Sequence, residues 1–210
     1  MKLIGRYDSP YVRRVGVSLH LLAIPFELQP LSPFSQANQL RRVASIGRMP
    51  ALVLDNGEVL IESAAILDCL DEMSGSDRAL LPDRGHERRK QLRILASSTA
   101  ACDKAIAINY ERRRPSNKIF DEWLKRCRDQ LDAALAELER FKAFDWPSHD
   151  RLMQIEVTTA CMYGYVKRVE PDALPAGRYP NLEGLSHQCE MVPAFKACPD
   201  HVCSASIASV

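Results

Sequence analysis

The dipeptide Asn56-Gly57 constrains this chain more than any other feature, because it separates two short apolar runs and precedes a helical pattern. Asn-Gly tolerates the left-handed backbone of a tight type I′ turn, so Ala51 to Asp55 and Val59 to Ile61 are expected to pair as an antiparallel hairpin. Ala64, Ala65, Ile66, Leu67, Leu70 and Met73 then recur at helical spacing, with Ala65/Ile66, Leu70 and Met73 along one side and Ser63 as the cap. The stretch from Gly47 to Met73, GRMPALVLDNGEVLIESAAILDCLDEM, therefore reads as strand, turn, strand, helix.

The same stretch carries chemistry. A helix start presents unpaired N–H groups and partial positive charge that suit a carboxylate, and Glu62 beside it suits an ammonium group. Together Glu62 and Ser63 fit the head of a free amino acid. Met49-Pro50 removes a backbone donor at a strand edge, and X-Pro is the one common route to a cis peptide. A cis bond there would turn the Met49 N–H and C=O outward, toward an extended peptide. Taken singly, Ser63 reads as a cap and Pro50 as a bend; in conjunction and in this order they read as a ligand site.

Upstream, Leu3 to Tyr7 is expected as a strand, and Ser9-Pro10 pairs a capping hydroxyl with proline at the first helical position. Val12, Val15, Leu19 and Leu22 form the buried stripe of that helix, with Arg13 and Arg14 facing outward or toward a ligand. Ile24-Pro25 ends it before a strand from Phe26 to Gln29, and Ser35 to Val43 is a weaker helix. The order is β-α-β-α-β-β-α. Ser74 to Asp83 has Gly, Ser and Pro without periodicity and marks a boundary. Beyond it, Leu92, Leu95, Thr99, Cys102 and Ile106 mark a long amphipathic helix, and Trp123, Cys127, Leu131, Leu135, Leu138 and Phe141 a second. Met153 to Arg168 and Asn181 to Met191 complete the helical part.

A 210-residue chain that is 46% hydrophobic can bury a full core as one domain or two. A net charge of +1 supplies no global field to draw in nucleic acid or anionic lipid. The run Glu111-Arg112-Arg113-Arg114-Pro115 lacks interleaved aromatics and reads as a solvated helix end. No segment approaches the roughly 18 apolar residues of a membrane span, and Met1-Lys2 leads into strand-like residues without a signal-peptide core, so a cytoplasmic protein is expected. The cysteines at 69, 102, 127, 161, 189, 198 and 203 are odd in number and include no C-x-x-C pair, which points to reduced thiols. Cys189, Cys198, His201 and Cys203 match no standard zinc spacing, and no metal is expected.

RMPAL, the NG hairpin, ESAAILDCLDE and the ending GRYPNLEGL…VPAFKA resemble the cytosolic glutathione S-transferases over the whole chain. The order S-P-Y-V-R-R is similar to bacterial-type members whose catalytic Ser or Cys starts the first helix. The resemblance implies a thioredoxin-like N-terminal α/β domain over residues 1–77 and an all-helical C-terminal domain over 85–210. It implies a cis Pro50, backbone pairing of Met49 with the cysteinyl unit of glutathione, and Glu62 and Ser63 on its γ-glutamyl end. Arg48 would hold the glycine carboxylate, and Tyr7, Tyr11, Tyr110 and Arg114 would border the second substrate. The implied partners are glutathione as co-substrate, a small electrophile in a detoxification-type conjugation, and a second copy of the chain in a homodimer. Two positions depart from the pattern. Met153-Gln154-Ile155-Glu156 stands where a Thr/Ser-x-x-Asp box is usual, leaving Ser148 or Asp150 one turn earlier as substitute caps, and Ala44-Ser45 stands where Asn-Pro is usual.

Glutathione's thiol is mostly protonated at neutral pH, since a free cysteine has a pKa of roughly 8.5, and the thiolate is the nucleophile. Ser9 at a helix start is placed to donate a hydrogen bond to that anion. The plainer reading makes Ser9 a cap only, and Tyr7 at the end of the first strand is its rival. The competing class is a non-catalytic binding or regulatory protein that kept the fold.

Overall fold

The computed structural model describes residues 1–141 and 151–200. Its contacts divide the chain into two compact units, Met1–Asp83 with Val192–Val210, and Arg84–Met191.

The first unit is built on four short strands, β1 (Lys2–Ile4), β2 (Glu27–Gln29), β3 (Ala51–Val53) and β4 (Val59–Ile61). They lie in the order β2-β1-β3-β4. Strand β1 is parallel to β2, with Leu3 opposite Leu28, and antiparallel to β3, with Leu3 opposite Leu52. A parallel neighbour requires a crossover, and helix α1 (Pro10–Leu21) provides it. Both faces of the two central strands are covered, which is why Leu3-Ile4 and Ala51-Leu52 are apolar at successive positions. Leu3 and Leu52 point into a core with Val12, Val15 and Leu19 of α1 and Ile66, Leu67 and Leu70 of a later helix. Their neighbours Ile4 and Ala51 point the other way, onto Leu40 and Ala44. Leu40 belongs to α2 (Ala37–Val43), and Ile66 to α3 (Ser63–Ser74).

Several local expectations give way to packing. The first strand stops at Ile4, because Gly5 at φ 135° begins the turn that leads to α1. The β3–β4 hairpin is not closed by a type I′ turn: only Gly57, at φ 87°, is left-handed, and Asn56 is not. Instead Gly57 N–H donates to Leu54 C=O at 3.0 Å and Leu54 N–H to Glu58 C=O at 2.8 Å, a type I turn with a glycine bulge. The Asn56 carboxamide oxygen accepts from Glu58 N–H at 2.9 Å and holds that geometry. On α3 the buried side runs through Ser63, Ile66, Leu67 and Leu70, while Ala65 and Met73 face out. The cap position is Glu62, and Ser63 is the first helical residue.

Helix α1 is buried nearly all round, Arg13 and Arg14 included, so neither arginine faces solvent. The reason is that α8 (Pro193–Lys196) packs on α1 beside Arg13 and α3 packs on it beside Arg14. Arg13 Nε donates to Cys198 C=O at 2.7 Å, and its guanidinium stands 5.3 Å from the centroid of Phe195.

The second unit packs α4 (Gly85–Glu111), α5 (Asp121–Glu139), α6 (Gln154–Val169) and α7 (Pro180–Met191) against one another. The face α4 buries is not the leucine stripe: Leu92 is exposed, and Gln91, Ile94, Ser98, Ala101, Cys102, Ala105 and Ile108 point inward. Small residues let a neighbour approach closely, and Ser98 Oγ meets Thr159 Oγ1 of α6 at 2.8 Å. On α5 the buried stripe is Leu124, Cys127, Leu131, Leu135 and Leu138, as its spacing requires, and Trp123 lies outside it. The start of α6 keeps half of a capping box, with Met153 N–H donating to Glu156 Oε2 at 2.8 Å. The substitute caps Ser148 and Asp150 lie outside the described residues. The basic run after α4 is partly structural: Arg112 makes a two-pronged ion pair with the buried Glu170 at the end of α6, and Arg114 pairs with Glu111 at 2.9 Å.

Candidate functional site in the first unit

Ser9 is the cap residue of α1, with extended backbone at φ −86° and ψ 122° that turns its side chain back over the first helical turn. Its Oγ accepts from Val12 N–H at 3.5 Å, the long limit of a hydrogen bond. The bond uses a lone pair and leaves the hydroxyl proton to donate elsewhere.

Tyr7 is placed differently. Its ring lies against Gly16 of α1, and its hydroxyl is hydrogen-bonded to the Cys198 thiol. Burial, and then that hydrogen bond, hold the phenol well above its ordinary range. Burial likewise pushes the Cys198 thiol up to about 11, against the pull of the Tyr7 hydrogen bond and of Arg13. The phenol is thus engaged with the C-terminal segment. Tyr11, on the first turn of α1, lies beside the Arg14 guanidinium, 5.5 Å from the ring centroid.

Met49 and Pro50 enter β3 through a cis peptide bond, with Pro50 buried. The Met49 N–H and C=O take no hydrogen bond among the described residues. Met49 lies beside Gly5, where a Cβ would meet Met49 Cβ at 3.2 Å and Val12 Cγ2 at 2.6 Å. Only a glycine lets the strand exit, the Met49 edge and the first turn of α1 approach this closely.

At the far end of the hairpin Glu62 adopts φ 67°, ψ 121°, a conformation costing about 1–3 kcal/mol in a residue with a side chain and typical of ligand clamps. It is exposed and pairs with Arg48 at 3.0 Å. Ser63 next to it is buried, and its Oγ accepts from Arg14 Nη2 at 2.7 Å. Helix α1 is therefore flanked by Met49-Pro50 at its start and tied to Ser63 one turn later. A hydroxyl at a helix start, a free peptide edge, a carboxylate and a second helix start are chemically complementary to a short peptide with a zwitterionic head and an anionic centre.

Tyr110 and Arg114 belong to the second unit, at the last turn of α4 and just beyond it. Tyr110 is exposed and stacked by Arg113 at 5.9 Å. Among the described residues no three His, Cys, Asp or Glu side chains stand close enough to hold a metal, and His201 and Cys203 lie outside them. The residue that the sequence did not assign is Arg14. Its signal is a charged pair, Arg13-Arg14, set between Val12 and Val15 in a helix that has no polar face.

Residues 3–78 match the family model described as glutathione S-transferase, N-terminal domain. The chain is 30% identical to a glutathione transferase family member from Pseudomonas fluorescens Pf-5, whose crystal structure contains bound glutathione. That similarity covers 96% of this chain and 99% of the other, with a TM-score of 0.84. It is 28% identical to a glutathione S-transferase from Methylobacterium radiotolerans, solved in complex with glutathione sulfonate, over 100% of this chain and 99% of that one, with a TM-score of 0.88. An uncharacterized GST-like protein of Escherichia coli K12, YibF, is 28% identical over 173 residues, 81% of this chain and 85% of its own length.

Proposed function

We propose that this chain, which belongs to the glutathione S-transferase family, binds glutathione on its first unit and activates the thiol for attack on a small electrophile. The observation that carries this reading is the Ser9 hydroxyl, free to donate at the start of α1, in a unit whose Met49 peptide edge takes no hydrogen bond among the described residues. An extended glutathione would take its cysteinyl backbone hydrogen bonds from Met49, which brings the sulfur toward Ser9. Its γ-glutamyl head would lie at Glu62 and Ser63 and its glycine carboxylate at Arg48. The Arg48–Glu62 pair is exposed, so it contributes no more than about 1 kcal/mol and yields readily. Binding exchanges that one ion pair for two, ammonium to Glu62 and carboxylate to Arg48.

Ser9 acts as a hydrogen-bond donor and not as a base. A charge-assisted bond of about 1.5–3 kcal/mol to the thiolate lowers its pKa by about one to two units, at 1.36 kcal/mol per unit. The thiol proton passes to solvent. The thiolate then forms a carbon–sulfur bond to the electrophile, and its leaving group departs, or the resulting anion is protonated. The active species is proposed as a homodimer of two-domain chains, with residues 1–77 as the glutathione domain. Tyr11, Tyr110 and Arg114 are proposed to contact the electrophile.

Calorimetric titration with glutathione tests the reading. Binding at or below millimolar glutathione is expected, and no heat at that concentration would remove it. Binding without conjugation of any reactive aryl halide or epoxide would leave a binding protein.

A further inference from the structure

The Arg14–Ser63 contact has an asymmetry. A guanidinium carries donors only, so in the 2.7 Å bond Arg14 donates and Ser63 Oγ accepts. The Ser63 proton must then go to another acceptor, yet among the described residues it meets none, although the residue is only 3% exposed. A buried hydroxyl whose proton is left over is costly unless a ligand accepts it. Beside it, the N–H groups of Ser63, Ala64 and Ala65 open α3 and take no acceptor among the described residues. Four donors therefore converge, one of them set in direction by Arg14. Arg14 is itself 5% exposed, and the Tyr11 ring flanks its guanidinium.

We infer that Arg14 is a positioning residue for the γ-glutamyl α-carboxylate of glutathione: by donating to Ser63 Oγ it commits the Ser63 proton to that carboxylate. This inference rests on the glutathione reading above. Arg14 does not touch the ligand. It selects, through Ser63, a head group carrying an anionic acceptor.

The test is a binding cycle with two peptides: glutathione, and 4-aminobutanoyl-cysteinylglycine, which lacks only the α-carboxylate. Arg14→Leu should weaken glutathione about ten- to hundred-fold, the range of one hydrogen bond to a charged group. It should leave the affinity for the carboxylate-free peptide within about two-fold. In the Ser63→Ala background the Arg14→Leu effect on glutathione should shrink to about two-fold, because both act through one hydroxyl. Arg14→Gln keeps an amide donor and most of the volume; it should fold if the leucine variant does not, and still discriminate several-fold less than wild type between the two peptides. Equal weakening of both peptides, or additive effects of Arg14 and Ser63 variants, would make Arg14 a packing residue and overturn the inference. If the wild-type chain binds neither peptide, the functional reading itself falls and this inference with it.

Discussion

At the scale of single residues, two hydroxyls near the first helix are the candidates to stabilise the proposed thiolate, and their surroundings differ. Tyr7 is bonded to Cys198 and held protonated by burial, whereas Ser9 keeps a proton to give. Ser9→Gly should therefore raise the pKa of bound glutathione by about one to two units with little change in affinity, since glycine caps a helix nearly as well as serine. Thiolate absorbance followed against pH reads this directly. The sign is that of a lost donor: the thiolate is less stabilised, the midpoint moves up, and turnover near neutral pH falls about ten-fold, recovering as the pH rises. Tyr7→Phe should leave the midpoint in place. A shift on Tyr7→Phe and none on Ser9→Gly would exchange the two roles. Of these side chains the sequence gives the identities and the helix start. The partner of each hydroxyl depends on Cys198 and Val12, and a residue some 190 positions away leaves no local signal.

At the scale of elements, α1 is the part of the first unit on which everything else bears. Its apolar positions 12, 15 and 19 face the sheet as their spacing requires, but the opposite side is covered too, by α8 and Cys198. Gly16 is where that second contact is tightest: a Cβ there would meet Tyr7 Cε1 at 2.6 Å, Tyr7 Oη at 3.0 Å and Cys198 Sγ at 3.1 Å. Gly→Ala inside a helix normally gains up to about 1 kcal/mol. Here overpacking should win, and Gly16→Ala should lose about 1–3 kcal/mol in a urea titration at unchanged slope. A rise in the midpoint would mean that the C-terminal segment does not press on α1 in solution. The hairpin and α4 show the same limit on reading elements locally. Asn-Gly announces a turn between the strands, but cross-strand bonds at Leu54 choose its type. In α4 the large apolar residues define the visible stripe, but close packing against α5 and α6 favours the face with Ser98, Ala101 and Ala105.

At the scale of the whole molecule, the proposed homodimer accounts for large apolar side chains that the single chain leaves in water. Phe34, Ile46 and Met73 of the first unit are each more than half exposed. Sedimentation equilibrium at micromolar concentration should give twice the 23.6 kDa of one chain. A mass at the single-chain value would refute it.

What the sequence determined by itself is what short-range physics sets: the order of strands and helices, the hairpin, the proline-marked edge, and the Glu62-Ser63 and Ser9-Pro10 helix starts. Those features depend on residues within a few positions of one another, and their spacing also carried the family. What only the tertiary structure decided is which polar groups are spent and which are free. From the sequence Arg13 and Arg14 face outward or toward a ligand, because an isolated helix would expose them. They are buried because the C-terminal segment and α3 cover that helix, and a buried guanidinium must find acceptors wherever the fold provides them. One finds the carbonyl of Cys198 and the other the hydroxyl of Ser63. Burial and partnership are properties of the assembled core: the pattern within the helix flags the arginine pair and does not specify its partners.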